Sequence, residues 1–220
     1  MQAEGRARVV AVDPDVVLLS GLPLLLDEFD VVAGYTDARR CVDREPRADV
    51  ILVEVAASDG LGSPGAMVRR LIAQGYRVCI YTSQKRPQVI LGCLMAGARG
   101  VVDKSGSVEH LQQALADIVA GRIVINPVLM RLAELADRRD GVIALNDGER
   151  AVLLRYTGAA QAEVGAAMPR DRGSDEEPGT GERAAVQAIA EKFSDYLQGR
   201  TAADLEYLFG FADGDLSDWD

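Results

Sequence analysis

Histidine occurs once in the 220 residues, as His110. A lone imidazole argues against a multi-histidine metal centre and against a histidine-based triad, and no metal site is expected. The three cysteines, Cys41, Cys79 and Cys93, are odd in number and contain no CxxC pair. That pattern fits reduced thiols in a cytosol better than a disulfide framework. Lysine is equally scarce, limited to Lys85, Lys104 and Lys192 among 24 basic residues. No apolar run approaches the ~20 residues of a membrane helix. The start, MQAEGRARVV, lacks the apolar stretch of a signal peptide. A cytoplasmic protein without a membrane partner is expected.

What is present is a globular composition, 48% hydrophobic and 26% charged, long enough for one large domain or two small ones. Charge is unevenly divided. Residues 1–140 hold 17 basic and 18 acidic residues (net −1), whereas residues 141–220 hold 7 and 16 (net −9). A unit that grips phosphates by charge would show the opposite bias.

The first 121 residues alternate short β-branched runs with longer amphipathic ones. The runs at 8–12, 30–35, 49–54, 76–81 and 99–103 read as strands, continuously apolar as in a parallel sheet buried on both faces. Helical spacing fills 15–28, 37–45, 64–74, 87–97 and 107–120, with Ser107 as a cap. Five βα units predict an α/β fold, a doubly wound five-stranded parallel sheet. Beyond it the pattern turns helical: a connector at 131–139, two helices in 146–168 with a turn at Gly158, and a helix at 182–198. That last helix carries Val186, Ile189, Phe193, Tyr196 and Leu197 on one face. Residues 169–181 are acidic and Gly/Pro-rich and read as a loop, and 211–220 as a frayed acidic tail containing the sole tryptophan, Trp219.

Doubly wound sheets place their chemistry at the carboxyl ends of the strands. Asp13, Glu54, Thr82 and Lys104 converge there, a carboxylate, hydroxyl and ammonium set suited to a phosphoryl group or its mimic. With VVAVDPDVVLLSG, YTSQ and AGARGVVDKSGSVEHLQQALADIVAGRIVINP, the segment 8–121 resembles the receiver domain of response regulators, of the NarL/FixJ type. The resemblance implies a flavodoxin-like fold and an aspartate at position 54 that accepts a phosphoryl group from a histidine kinase. This chain has Glu54. The resemblance also implies a second acid after Asp13 to hold Mg²⁺, where this chain has Pro14, and an aromatic residue where it has Val101. Thr82 and Lys104 match.

Magnesium demands near-ideal octahedral geometry, so proline in place of a carboxylate weakens its site. Glutamate moves the acceptor oxygen by roughly 1 Å, enough to spoil in-line attack. Asp15 starts the first helix and is a poor substitute. Two readings of Glu54 stand: it pairs with Lys104 and imitates the phosphorylated state, or it is a tolerated polar residue on a degenerate rim. Either way the pocket is a degenerate phospho-acceptor site with no catalytic residues and no cofactor.

LNDGERAVLLRYTGAAQAEVGAAM (145–168) resembles the opening of a LuxR-type helix-turn-helix domain, with Leu145, Glu149, Val152 and Leu153 at its first motif and Glu163, Val164, Gly165 and Met168 at its second. The helix at 182–198 then takes the place of the recognition helix. It offers Arg183, Gln187 and Lys192 as DNA contacts, diluted by Glu182, Glu191 and Asp195, with Arg200 following. Weak or partner-assisted DNA binding is the expectation.

The domain reading is a receiver-like domain over 1–121, a linker with connector helix over 122–144, a degenerate helix-turn-helix-like domain over 145–210 with an insertion at 169–181, and the tail. The leading function is an atypical response regulator of transcription, independent of phosphorylation. Control would come from dimerisation through receiver helices (homo- or hetero-), a partner, or a small-molecule ligand. The alternative is an interaction module that modulates a DNA-binding partner without touching DNA. An enzyme has little support.

Overall fold

The computed structural model describes residues 5–124, 127–140, 143–164, 180–212, 214 and 216. The chain divides into two compact units, Met1–Val124 and Ile125–Asp218. The predicted segments at 165–168 and 169–179, and Trp219, lie outside the described residues.

In the first unit, strands β1 (Arg8–Val12), β2 (Asp30–Tyr35), β3 (Val50–Val53), β4 (Arg77–Thr82) and β5 (Gly100–Asp103) form one parallel sheet in the order β2-β1-β3-β4-β5. Helices α1 (Val16–Leu25), α2 (Ala38–Arg44), α3 (Pro64–Ala73), α4 (Pro87–Met95) and α5 (Val108–Val119) connect the strands, as the alternation predicted. Both faces of the sheet are covered, which is why β3 is apolar throughout. On one face Val9, Ala11, Val50, Leu52 and Cys79 pack against Leu22 of α1, Leu26 just beyond it, and Leu111, Leu115 and Ile118 of α5. Residues alternating with these, such as Val10, Ile51 and Ile80, are equally buried.

Side chains start the helices where the sequence places short polar residues. Asp15 accepts from the amides of Val17 and Leu18, Asp37 from Arg40, Ser63 from Ala66 and Ser107 from His110. After α5 the chain returns along the sheet edge, and the Val124 amide donates to the Arg99 carbonyl at 2.8 Å. A β-carbon on Gly100 would stand 2.5 Å from that of Val124, so only glycine allows this approach.

The second unit is helical: α6 (Pro127–Asp140), α7 (Asp147–Val164), α8 (Thr180–Gln198) and α9 (Ala202–Phe209). Val186, Ile189, Phe193 and Leu197 of α8 are buried together with Ala133, Ala136, Val152, Leu153 and Leu205.

Three expectations need correction here. First, α7 runs unbroken through Gly158: a helical glycine costs only about 1 kcal/mol, and the alanines that follow it favour the helix. Second, the connector helix expected in the 122–144 linker is α6, which is part of the second unit. It packs on α7, α8 and α9; Asp137 binds Arg150 at 3.1 Å, and Arg139 donates to the Leu208 carbonyl at 2.6 Å. Third, Gly214 and Leu216, which lie within the expected frayed tail, are held in place. The buried Glu206 carboxylate accepts the Gly214 and Leu216 amides at 3.0 and 2.5 Å, and Leu216 is fully buried. The leucine supplies the apolar anchor that the acidic composition obscures.

Candidate functional site

The parallel register carries the four predicted rim residues to one place. Backbone bonds prolong the ladder past each strand: the Asp13 amide donates to the Tyr35 carbonyl, Glu54 to Val12 and Lys104 to Thr82, at 2.9, 2.9 and 3.1 Å. The side chains then close on one another. Glu54 accepts the Thr82 hydroxyl on Oε1 at 2.5 Å and the Lys104 ammonium on Oε2 at 2.7 Å. The same ammonium lies 2.5 Å from Oδ2 of Asp13, whose Oδ1 accepts the Asp15 amide at 2.8 Å.

Asp13, Glu54 and Thr82 are 3%, 8% and 2% exposed, so these contacts form largely away from water. Burial acts to lower the Lys104 pKa, but hydrogen bonds to Asp13 and Glu54, with their charges, outweigh it and hold the ammonium above the ordinary lysine value. Its Nζ also stands 5.8 Å from the centre of the Tyr81 ring. One lysine thus bridges two desolvated carboxylates.

From this cluster a hydrogen-bond path leads to α4. The Gln84 amide donates to the Thr82 hydroxyl at 3.0 Å, and Gln84 Oε1 in turn accepts the Lys85 and Arg86 amides at the entrance to α4, both at 3.0 Å. Lys85 pairs with Asp103, the last residue of β5.

These residues do not suit the Mg²⁺ that the receiver resemblance implies. Both carboxylates are taken by Lys104, and Asp15 is committed to capping α1. Pro14 contributes no oxygen ligand from its side chain. Among the described residues no group of three or more His, Cys, Asp or Glu is placed to share a metal.

In the second unit the predicted DNA contacts separate. Arg183 is exposed on α8. Gln187 donates to Glu191 at 2.8 Å, one turn on. Lys192 is not turned to solvent as the helical pattern implied. Its ammonium lies 2.9 and 2.7 Å from the two oxygens of Glu149 and donates to the Ala144 carbonyl at 2.8 Å. A long apolar stem lets a lysine beside a buried position carry its charge across to the next helix.

Glu149 was legible only as a motif position. It is also the centre of a reciprocal cap, accepting the Asn146 amide at 2.8 Å while its own amide donates to Asn146 Oδ1 at 2.9 Å. The N-x-x-E spacing at 146–149 was the available signal. Burial acts to raise the Glu149 pKa, but the Lys192 and Asn146 donors prevail and hold it below the usual carboxylate range.

No family model matches the chain. The DNA-binding transcriptional activator DevR/DosR of Mycobacterium tuberculosis (strain ATCC 25618 / H37Rv) is 30% identical over 158 residues, covering 66% of this chain and 72% of that protein. A two-component response regulator of the LuxR family from Aurantimonas sp. SI85-9A1 superposes with a TM-score of 0.52 at 27% identity, covering 61% of this chain and 99% of that one. RcsB of Salmonella enterica serovar Typhimurium, bound to promoter P1flhDC in the presence of phosphomimetic BeF3-, superposes with a TM-score of 0.54 over 87% of this chain and 100% of that one. At 18% identity this last likeness speaks to the fold alone. Among the described residues no helix is long and apolar enough to cross a membrane.

Proposed function

Because the chain belongs to the response regulators that join a receiver domain to a LuxR-type DNA-binding domain, we propose that it regulates transcription without receiving a phosphoryl group. The observation that carries this reading is the double engagement of Glu54, with one oxygen on the Thr82 hydroxyl and the other on the Lys104 ammonium. Those are the partners a phosphoryl group on this rim would take, and a fixed carboxylate occupies them permanently. The first unit is a constitutive scaffold rather than a switch, and no catalytic step is assigned to it.

The receiver assignment runs over 1–121 and the helix-turn-helix assignment over 145–210, with α6 seated on the latter. DNA contact falls to Arg183 and Gln187, assisted by a second copy or a heterologous partner that supplies most phosphate contacts. Dimerisation through receiver helices is supported by α1, which has no charged residue and exposes Val16, Val17, Leu24 and Leu25. Control by a small-molecule ligand and a cytoplasmic site of action belong to the same reading.

Incubation with acetyl phosphate and Mg²⁺, followed by intact mass, tests the central claim. An unchanged mass is expected, and a stoichiometric gain of one phosphoryl group overturns it.

A second reading is favoured by Lys192, whose charge is spent on Glu149, in a segment (141–220) of net charge −9. Here the chain modulates a DNA-binding partner without touching DNA. Fluorescence anisotropy with promoter DNA across a salt series separates the two. Binding that weakens steeply with salt favours the regulator; no binding to high micromolar, alone or with partners, favours the modulator.

A further inference from the structure

The amino ends of the strands, opposite the rim that carries Glu54, hold a feature the proposed function leaves unused. An open cavity of about 620 Å³ lies there, within the size range of small-molecule sites. Its lining includes Arg8 at the start of β1, Glu45 at the end of α2, and Arg47 and Asp49 just before β3. Gln74 at the end of α3 and Tyr76 just before β4 complete the polar wall. Hydrogen bonds within the chain hold that wall. The Tyr76 hydroxyl donates to the Pro46 carbonyl at 2.8 Å, and the Arg8 amide to Asp49 Oδ2 at 2.7 Å.

Three irregularities meet at this cavity. Gln74 donates from Nε2 to the Val42 carbonyl at 3.0 Å and to Glu45 Oε1 at 3.4 Å. Turning the amide over would set its oxygen against both acceptors, so the orientation is fixed. Gln74 Oε1 is then the one buried side-chain nitrogen or oxygen without a hydrogen-bond partner among the described residues. Glu45 is the one non-glycine among them with a positive φ, at 45°. Glycine would close α2 there without strain, so glutamate keeps a carboxylate at the cavity at a cost in stability. Finally, no ion pair joins Arg8 or Arg47 to another described residue, although two acids share their lining.

Charges of both signs that do not cancel one another suit a small ligand that carries both. An arginine fork matches a carboxylate, and a glutamate with a spare amide oxygen accepts from an ammonium. The Gln74–Glu45 bond, at 3.4 Å, is weak enough to yield as such a donor enters.

We propose that this cavity binds a free α-amino acid. Arg8 and Arg47 take its carboxylate, and Glu45 with the orphaned Gln74 oxygen takes its ammonium. The binding draws on the first unit alone, so it stands or falls apart from the DNA-binding reading.

Saturation-transfer NMR on the full-length protein, with each common amino acid in turn, finds the ligand, and calorimetry gives its affinity. At least one amino acid is expected to bind with a Kd of about 10⁻⁴ M. Its N-acetyl form, which lacks the ammonium, and its amide, which lacks the carboxylate, are each expected to lose about ten-fold or more.

Two exposed positions supply the variants. Arg47→Ala is expected to weaken binding about ten-fold and leave the melting temperature unchanged. Glu45→Gly is expected to weaken binding similarly while raising the melting temperature, because it relieves the left-handed backbone. A merely structural glutamate would move stability and leave affinity alone. No binding by any amino acid at about 10 mM, roughly a hundred times the expected Kd, overturns the site. So does an N-acetyl or amide form that binds as tightly as its parent, or an affinity unchanged in either variant.

Discussion

The ammonium of Lys104 lies 2.7 Å from a carboxylate oxygen of Glu54 on a rim where glutamate replaces the expected aspartate. The extra methylene is what brings that carboxylate within reach of both Lys104 and Thr82. Its removal in Glu54→Ala strands the buried Thr82 hydroxyl and leaves Lys104 with Asp13 alone. A loss of about 2 kcal/mol in unfolding free energy is expected from urea denaturation. Glu54→Gln retains the size and an acceptor for Thr82, and is expected to lose less.

The same geometry predicts how phosphoryl acceptance could be restored. Glu54→Asp alone withdraws the carboxylate from Lys104 but leaves Pro14 without a metal ligand. That variant is expected to stay unlabelled by acetyl phosphate with Mg²⁺, whereas Glu54→Asp combined with Pro14→Asp gains label, read by intact mass. Labelling of the single variant would show that the second acid is dispensable.

Gly100 offers a test of packing remote from the rim. A methyl group there meets the Val124 side chain and backbone, and the Val124 amide is fixed by its bond to the Arg99 carbonyl. Gly100→Ala is expected to destabilise the first unit by about 1–3 kcal/mol, seen as a lower denaturation midpoint. Trimming the neighbour in Gly100→Ala with Val124→Ala should recover part of the loss.

How much of this was legible in sequence follows from the distance over which each feature acts. The strands are written as β-branched runs, and their parallel order brings Asp13, Glu54, Thr82 and Lys104 together without knowledge of any side-chain contact. Gly158 misled because a glycine marks a turn only when its neighbours do not favour the helix. Lys192 misled because its partner lies 43 residues away, and helical periodicity says nothing about where a flexible stem ends. Leu216 was hidden by composition: a hydropathy average over an acidic stretch cannot see one buried leucine.

The thiols give a prediction from burial. Cys41, Cys79 and Cys93 are all buried, and desolvation pushes each up to about 12. At pH 8 the thiolate fraction is on the order of 10⁻⁴. Ellman's reagent is expected to find almost no reactive thiol in the folded protein and all three after denaturation. Rapid reaction of one thiol in the native state would expose an opening of the fold.

The Glu149–Lys192 pair joins the cap of α7 to α8, and its pH dependence has a definite sign. The Glu149 pKa is lowered by folding, so its contribution is full above the unfolded carboxylate value of about 4.3 and is lost as pH falls through the lower, folded one. Acidification below about pH 5 should therefore lower the melting temperature of the wild type more steeply than that of Glu149→Gln. A double-mutant cycle with Lys192→Ala should give a coupling of about 1 kcal/mol, modest because the lysine is partly solvated. If Lys192 instead served DNA, its removal would flatten the salt dependence of binding by about one unit and spare stability. Internal pairing predicts the reverse: a lower melting temperature, with the salt slope unchanged.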